Sequence, residues 1–336
     1  MTNRFKWLKW PLAALVVLFL VIAVTQMDFD DLLASLRRIP AWAAVLLFAL
    51  QIVSQLLVNL QWRFVAKGFG SPITFMQMLH INARADLLHI APAGHISGGV
   101  FRVMQISRGG CCDGTQAAAA VAIQKLFSLS AFFTISLISI GFFAGQVPWL
   151  QDTALRFLLY AVLLTILAMM ACVYAAPRRI ANWLNRPRRK HKHKQPRKWA
   201  SKLHNFALAA VNHIAELHTD KRRFAVLGGL ALCIWVIYPL KLHLLAMQIV
   251  PEISITHIAA ATFLSYSVAM LPIFPAGLGG FEATMAGLLL LMGFVQSDAV
   301  VVTVLFRFAT FWFVIALNLV FIALYSICTK KRRRFE

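Results

Sequence analysis

The chain has 336 residues, 60% of them apolar and only 13% charged, whereas a soluble domain is about 45–50% apolar and about 25% charged. Lys and Arg number 33 against 12 Asp and Glu, a net charge of +21. In a soluble protein that excess would suggest nucleic acid. Here the basic residues fall between and after long apolar runs, as on the cytoplasmic face of a membrane protein, which points away from nucleic acid and from a soluble enzyme.

In chain order, the Arg4–Lys9 basic cluster precedes an apolar run that predicts a first span over 10–27. The run imitates a signal peptide, but Gln26-Met27-Asp28 offers no small-residue cleavage site, so the span is read as retained. Phe29, Leu32, Leu33 and Leu36 predict a short interfacial helix over 28–39. A second span over 41–62 carries Gln51, Ser54, Gln55, Asn59 and Gln61, which suits a helix facing other helices or a wet cavity. Residues 72–110 are moderately apolar but hold His80, Arg84, Asp86, His89, His95, Arg102 and Arg108. Spans follow over 115–147, which carries Lys125, and over 154–176.

A hydrophilic stretch over 178–202 holds eleven Lys and Arg. Next, Leu203, Phe206, Ala210, Ile214 and Leu217 share one helical face over 203–217, as in an amphipathic helix lying on a leaflet. A span over 224–249 carries Lys241 and His243. Residues 255–294 are apolar but broken at Pro272 and at Pro275-Ala276-Gly277, and the last span, 298–328, carries Arg307.

The chain closes on Lys330-Lys331-Arg332-Arg333-Arg334. Basic segments stay inside, so both termini and the 178–202 loop are expected on the cytoplasmic side of the inner membrane. Residues 72–110 must then enter and leave from inside, and 255–294 from outside. Irregular backbone at membrane depth survives only where protein or water covers it, so both stretches are read as re-entrant hairpins, with extra full spans as the alternative. The expected fold is all-α and polytopic: about six full spans plus two re-entrant hairpins in two inverted repeats. The divisions are 1–177 (N-terminal repeat), 178–223 (basic loop with its amphipathic helix), 224–329 (C-terminal repeat) and 330–336 (basic tail).

The repeat has a sequence signature. Pro92-Ala93-Gly94, then Gly98-Gly99, Phe101 and Arg102, parallel Pro275-Ala276-Gly277, then Gly279-Gly280, Phe281 and Glu282. A cation follows each on the next long helix, Lys125 in one half and Arg307 in the other. Broken helices at the interface of inverted repeats form transporter substrate sites near the midplane.

A charge at the bilayer centre costs at least about 2.5–3.5 kcal/mol, which marks Lys125 and Arg307 as functional candidates. The plain alternative is structural pairing of Arg307 with Glu282, and of Arg84 or Arg102 with Asp86, with snorkelling as a further reading for Lys125. Cations outnumber carboxylates in these segments, because Arg84, Arg102, Arg108, Lys125, Lys241 and Arg307 face only Asp86 and Glu282. Such a surplus asks for an anion. Lipid phosphate is always present, and an arginine fork fits it. The half-helix that opens after Gly279 and Gly280 offers backbone N–H groups to the same anion. Glu282 there also serves the helix dipole or a cationic headgroup. Histidines 80, 89, 95 and 243 are read mainly as packing groups, with proton relay as the alternative. No nucleophile elbow, paired-carboxylate motif or H-E-x-x-H occurs, and no C-x-x-C spacing offers a metal or redox site, so neither cofactor nor metal is expected.

Pro275-Ala276-Gly277-Leu278-Gly279-Gly280-Phe281-Glu282, with Leu305-Phe306-Arg307-Phe308-Ala309-Thr310-Phe311-Trp312 downstream, resembles the flippase-type transmembrane domain of lysylphosphatidylglycerol synthases of the multiple peptide resistance factor type. Free-standing YbhN-like and AglD-like membrane proteins share that domain. Ala91–Arg108 with Lys125 resembles the family's other signature region, and the resemblance covers roughly residues 8–328. It implies translocation of a lipid with a charged or polar headgroup between leaflets, with Gly277, Gly279, Gly280, Glu282 and Arg307 at the headgroup site. Arg84, Asp86, Arg102 and Lys125 join them as binding candidates from the first half. The ligand implied is an anionic phospholipid, an aminoacyl-phospholipid or a polyprenyl-phosphate lipid. A lipid-modifying partner enzyme and a homodimer are further expectations. Ala276 stands where the family often has glycine, and the soluble synthase domain is not expected after Glu336, so no lipid synthesis is expected. A membrane-embedded transferase, for which Asp86 and His89 are the candidate groups, and a small-anion transporter are the competing readings.

Overall fold

The computed structural model describes residues 29–89, 94–108, 113–143, 153–185, 198–271 and 277–335. The first expected span, 10–27, and the cysteine pair at 111 and 112 lie outside them. Among the described residues every regular element is helical. In chain order these are α1 (Phe29–Arg37), α2 (Ala41–Gly68), α3 (Phe75–His89), α4 (Gly94–Arg108) and α5 (Gly114–Phe143). Then come α6 (Thr153–Ala175), α7 (Pro177–Leu184), α8 (Lys198–Thr219), α9 (Lys221–Ala246), α10 (Ile255–Ala269), α11 (Gly280–Leu291) and α12 (Gln296–Arg307). A π-helical turn, Phe308–Trp312, joins α12 to α13 (Phe313–Phe335).

Local chemistry sets several of these starts. Asp113 accepts the Gln116 N–H while Gln116 accepts the Asp113 N–H, a reciprocal cap that opens α5. Asp220 caps α9 through the Arg223 N–H, and Ser254 caps α10 through that of Thr256. Pro177 takes the first position of α7, where its missing N–H costs nothing.

Among the described residues, five helical segments are long and apolar enough to cross a membrane: α2, α5, α6, α9 and the continuous run from α12 through α13. They correspond to five of the six expected spans. Helix α6 turns Phe157, Leu158, Leu164 and Met169 outward, a lipid-facing surface in a protein whose solvent is acyl chain. Helices α3 and α4 have 15 residues each, and α10 and α11 have 15 and 12, all shorter than the roughly 20 that a span requires.

The second half repeats the first in order and packing. Helix α3 packs on α4 as α10 packs on α11, and the short or amphipathic helices α1 and α8 lie against α12 and α5 respectively. Arg38 pins α1 to the start of α12 by pairing with Asp298 at 2.9 Å. From residue 51 to 69, each position shares its burial class with the one 180 places later, Gln61 with Lys241 for instance. The hairpins are exchanged: α3 leans on α13 of the other half, and α10 leans on α5. Helices α2 and α9 cross at the centre. The largest apolar cluster, with Leu47, Leu242, Leu245, Phe281, Met285 and Phe306, surrounds that crossing.

Candidate functional site

The amides of α2 face inward as their spacing suggests, with Gln51, Ser54, Asn59 and Gln61 all buried. Gln124 donates to Gln61 at 3.0 Å, and Asn59 donates to the Phe75 carbonyl at 3.2 Å. From there a chain of polar contacts leads to a charge. Asn82 donates to Asn59 at 2.9 Å, and Arg102 donates through Nε to Asn82 at 2.9 Å. The other end of the Arg102 guanidinium pairs with Asp86 at 2.5 Å, and its plane lies 4.7 Å from the Trp62 ring centre. Arg102 is 5% exposed, so the pair holds a desolvated cation between a carboxylate, an amide and an aromatic face.

Of the two arginines available to Asp86, the structure selects Arg102. Arg84 is exposed on α3 and lies near His80, outside the cluster. Lys125 was expected to be the buried counterpart of Arg307. It keeps accessible surface, yet it is partly desolvated and interacts electrostatically with both Arg102 and Asp86. It is the open cation of this half-site.

The second half-site is built on the glycine turn before α11. Gly277 and Gly279 have φ of 72° and 81°, which L side chains resist. A Cβ on Gly277 would also fall 2.8 Å from that of Ala269, so the turn packs directly on the end of α10. Glu282 then divides its oxygens. Oε2 accepts the Gly279 N–H at 2.6 Å, and Oε1 pairs with Arg307 Nε at 2.9 Å. Gly280 is buried at the first position of α11. The Gly279 N–H is therefore already satisfied by Glu282, and the turn's glycines serve close packing and capping. Arg307 lies between the rings of Phe281 and Phe311, 4.9 and 4.6 Å from their centres. Phe311 reaches it from the π-helical turn, a feature that apolar periodicity does not signal and that often marks functional positions in helices.

Tyr238 on α9 is within electrostatic range of both Asp86 and Arg307. Its ring meets that of Tyr266 at 5.2 Å, Tyr266 meets Phe281 at 4.9 Å, and Phe281 stacks on Phe306. Tyr266 also feels Glu282 and Arg307. The Arg307–Glu282 pair thus lies against one end of an aromatic column whose other end, Tyr238, feels Asp86. Beneath Tyr238 lies Lys241, fully buried, noticed in the sequence as a cation but not placed at the site. Counted together, this region holds four basic side chains, Arg102, Lys125, Lys241 and Arg307, and two carboxylates, Asp86 and Glu282.

Of the four histidines considered for proton relay, His80 stacks on Tyr325 at 4.4 Å and His243 is partly buried; the side chains of the other two lie outside the described residues. Among the described residues no cluster of His, Cys, Asp or Glu has the makings of a metal site.

Apolar helices of spanning length around a desolvated, charge-bearing centre define a multi-pass α-helical membrane protein. The model of the lysylphosphatidylglycerol synthase transmembrane region matches residues 10–317, and the chain belongs to that family. Comparison with the curated proteins gives no match.

Proposed function

We propose that the protein moves a lipid with a phosphate-bearing headgroup between the leaflets of the cytoplasmic membrane, without covalent chemistry. The observation that carries this reading is the pair of Arg–carboxylate sites, one from each repeat, both within electrostatic range of Tyr238, in a region with two more basic side chains than carboxylates. A phosphate brings the missing negative charge, and a guanidinium freed from its carboxylate receives it as a fork. The lipid tails stay among the outward apolar helices while the headgroup exchanges with the internal pairs. Both carboxylates are held by arginine, which leaves Asp86 poorly placed to act as the base of a transferase. In this reading both termini and the 178–202 loop are cytoplasmic, and the glycine turn at Gly277–Gly280 gives Glu282 and Arg307 their fixed geometry.

The test is reconstitution in vesicles of phosphatidylethanolamine and phosphatidylglycerol, with tail-labelled phosphatidylglycerol followed by quenching of the outer leaflet. The wild type should accelerate exchange. Lys125→Met, and Arg307→Met combined with Glu282→Gln so that no buried charge is left alone, should remain folded and abolish it. Arg307→Lys should recover only part, since it keeps the charge and loses the fork. Full exchange by both Met variants would sink the headgroup-site reading. Uptake of free inorganic phosphate without lipid exchange would favour the small-anion reading.

A further inference from the structure

Lys241 sits in the α2–α9 crossing with no accessible surface. Its Nζ donates to Gln51 Oε1 at 2.5 Å and to Ser54 Oγ at 3.2 Å, and lies 4.0 Å from the centre of the Tyr238 ring. An ammonium has three N–H groups. Two hydrogen bonds and one π face account for all three, and among the described residues no carboxylate lies within ion-pair distance. A buried charge without a counter-charge is costly, and an apolar side chain of similar volume in its place is often neutral or stabilising. Packing alone therefore gives no reason for a lysine here.

Its surroundings supply one. Tyr238 and Lys241 lie three residues apart on α9, on either side of Pro239, which has no N–H to give the Trp235 carbonyl in the preceding turn. Through Tyr238, Tyr266 and Phe281, Lys241 is joined by ring contacts to Arg307 and Glu282. Through Gln51 and Ser54 it is anchored to α2, the helix that carries Asn59 and the Trp62 ring under Arg102. We infer that Lys241 is a positioning residue that couples the two Arg–carboxylate sites. It holds the Tyr238 ring within range of both Asp86 and Arg307, so that opening one pair is felt at the other. The inference rests on the headgroup-site reading above and extends it from two sites to one linked device.

Spatial continuity alone does not establish coupling, so the test is a double-mutant cycle on the purified full-length protein. Thermal midpoints are measured for Asp86→Asn and Glu282→Gln, each alone and combined with Lys241→Met. Coupling predicts that the cost of either carboxylate substitution changes by several degrees once Lys241 is replaced; additivity to within about 1 °C in both cycles overturns the inference. In the vesicle assay Lys241→Met should keep or raise the midpoint while slowing exchange of tail-labelled phosphatidylglycerol about tenfold or more. Tyr238→Leu should match Lys241→Met, and the double variant should be no slower than either. Wild-type exchange by both Lys241→Met and Tyr238→Leu also overturns the inference. If the wild-type protein moves no lipid, the transport reading fails by itself and the thermal cycles decide the coupling.

Discussion

At Glu282 one carboxylate does two things: Oε2 closes the Gly279 end of α11 and Oε1 neutralises Arg307. Glu282→Gln keeps an oxygen for the cap, as capping boxes allow, but leaves Arg307 buried with its charge uncompensated. The Arg307 and Glu282 side chains are 8% and 11% exposed, so solvent relieves little of that penalty. The substitution should cost about 3–5 kcal/mol, and Glu282→Gln/Arg307→Met should recover most of it. Thermal unfolding in detergent measures both, and an unchanged midpoint for the single variant would mean that the pair contributes nothing. Residue-level legibility in the sequence was uneven for a plain reason. The Glu282–Arg307 partnership is legible because the helix that follows the turn carries few other charges. Whether Asp86 takes Arg84 or Arg102 is not, since the answer depends on how α3 and α4 are rotated against each other. Lys241 hides further still, because its acceptors Gln51 and Ser54 lie 190 and 187 residues away.

Among the elements, α8 shows how an amphipathic helix is fastened to the spans beside it. His213 is buried, stacks on Phe69 at 4.0 Å and pairs with Glu216 at 3.2 Å. A Cβ on Gly68 would come within 2.7 Å of its Nε2, so glycine is what lets the ring seat there. A cavity of about 580 Å³ on one side is lined by Asp113 and Glu216, and a second one by Lys67 and Arg223. Burial pushes His213 below its ordinary value of 6.5, against the upward pull of Glu216. A depressed histidine favours the neutral form in the fold. The attachment of α8 should therefore be fully stable above about pH 6.5 and weaken as pH falls below it. Hydrogen exchange of α8 between pH 7.5 and 5 should show this loosening, and His213→Gln should flatten it. An equal slope in that variant would assign the effect to another group. The apolar face of α8 was readable from Phe206, Ile214 and Leu217; the π-helical turn after Arg307 was not, because it changes helix geometry without changing the apolar run.

For the whole molecule, the spans were legible as runs of apolar residues, and the hairpins as the stretches too charged or too broken to be spans. What the sequence alone left open was the exchange of hairpins, with α3 against α13 and α10 against α5. Sidedness is the property that makes the repeats inverted. Single cysteines at positions 190 and 335, in a background lacking the native cysteines, should be protected from an impermeant maleimide added outside, while cysteines at 150 and 251 should react. Outside labelling at 190 would give the halves the same orientation and remove the inverted repeat.

The exchanged hairpins also order the protein's birth. The ring of His80 on α3 rests against Tyr325 of α13, a helix synthesised long after α3. Until it arrives, α3 and α4 have their own ion pair but not their full protein wall. The Asp86–Arg102 pair then neutralises the hairpin's one buried arginine while the rest of the chain is made, although Arg84 and Arg108 still carry charge. Neither half is a finished domain, and a chain severed in the basic loop would give two pieces that each lack the surface on which a hairpin rests.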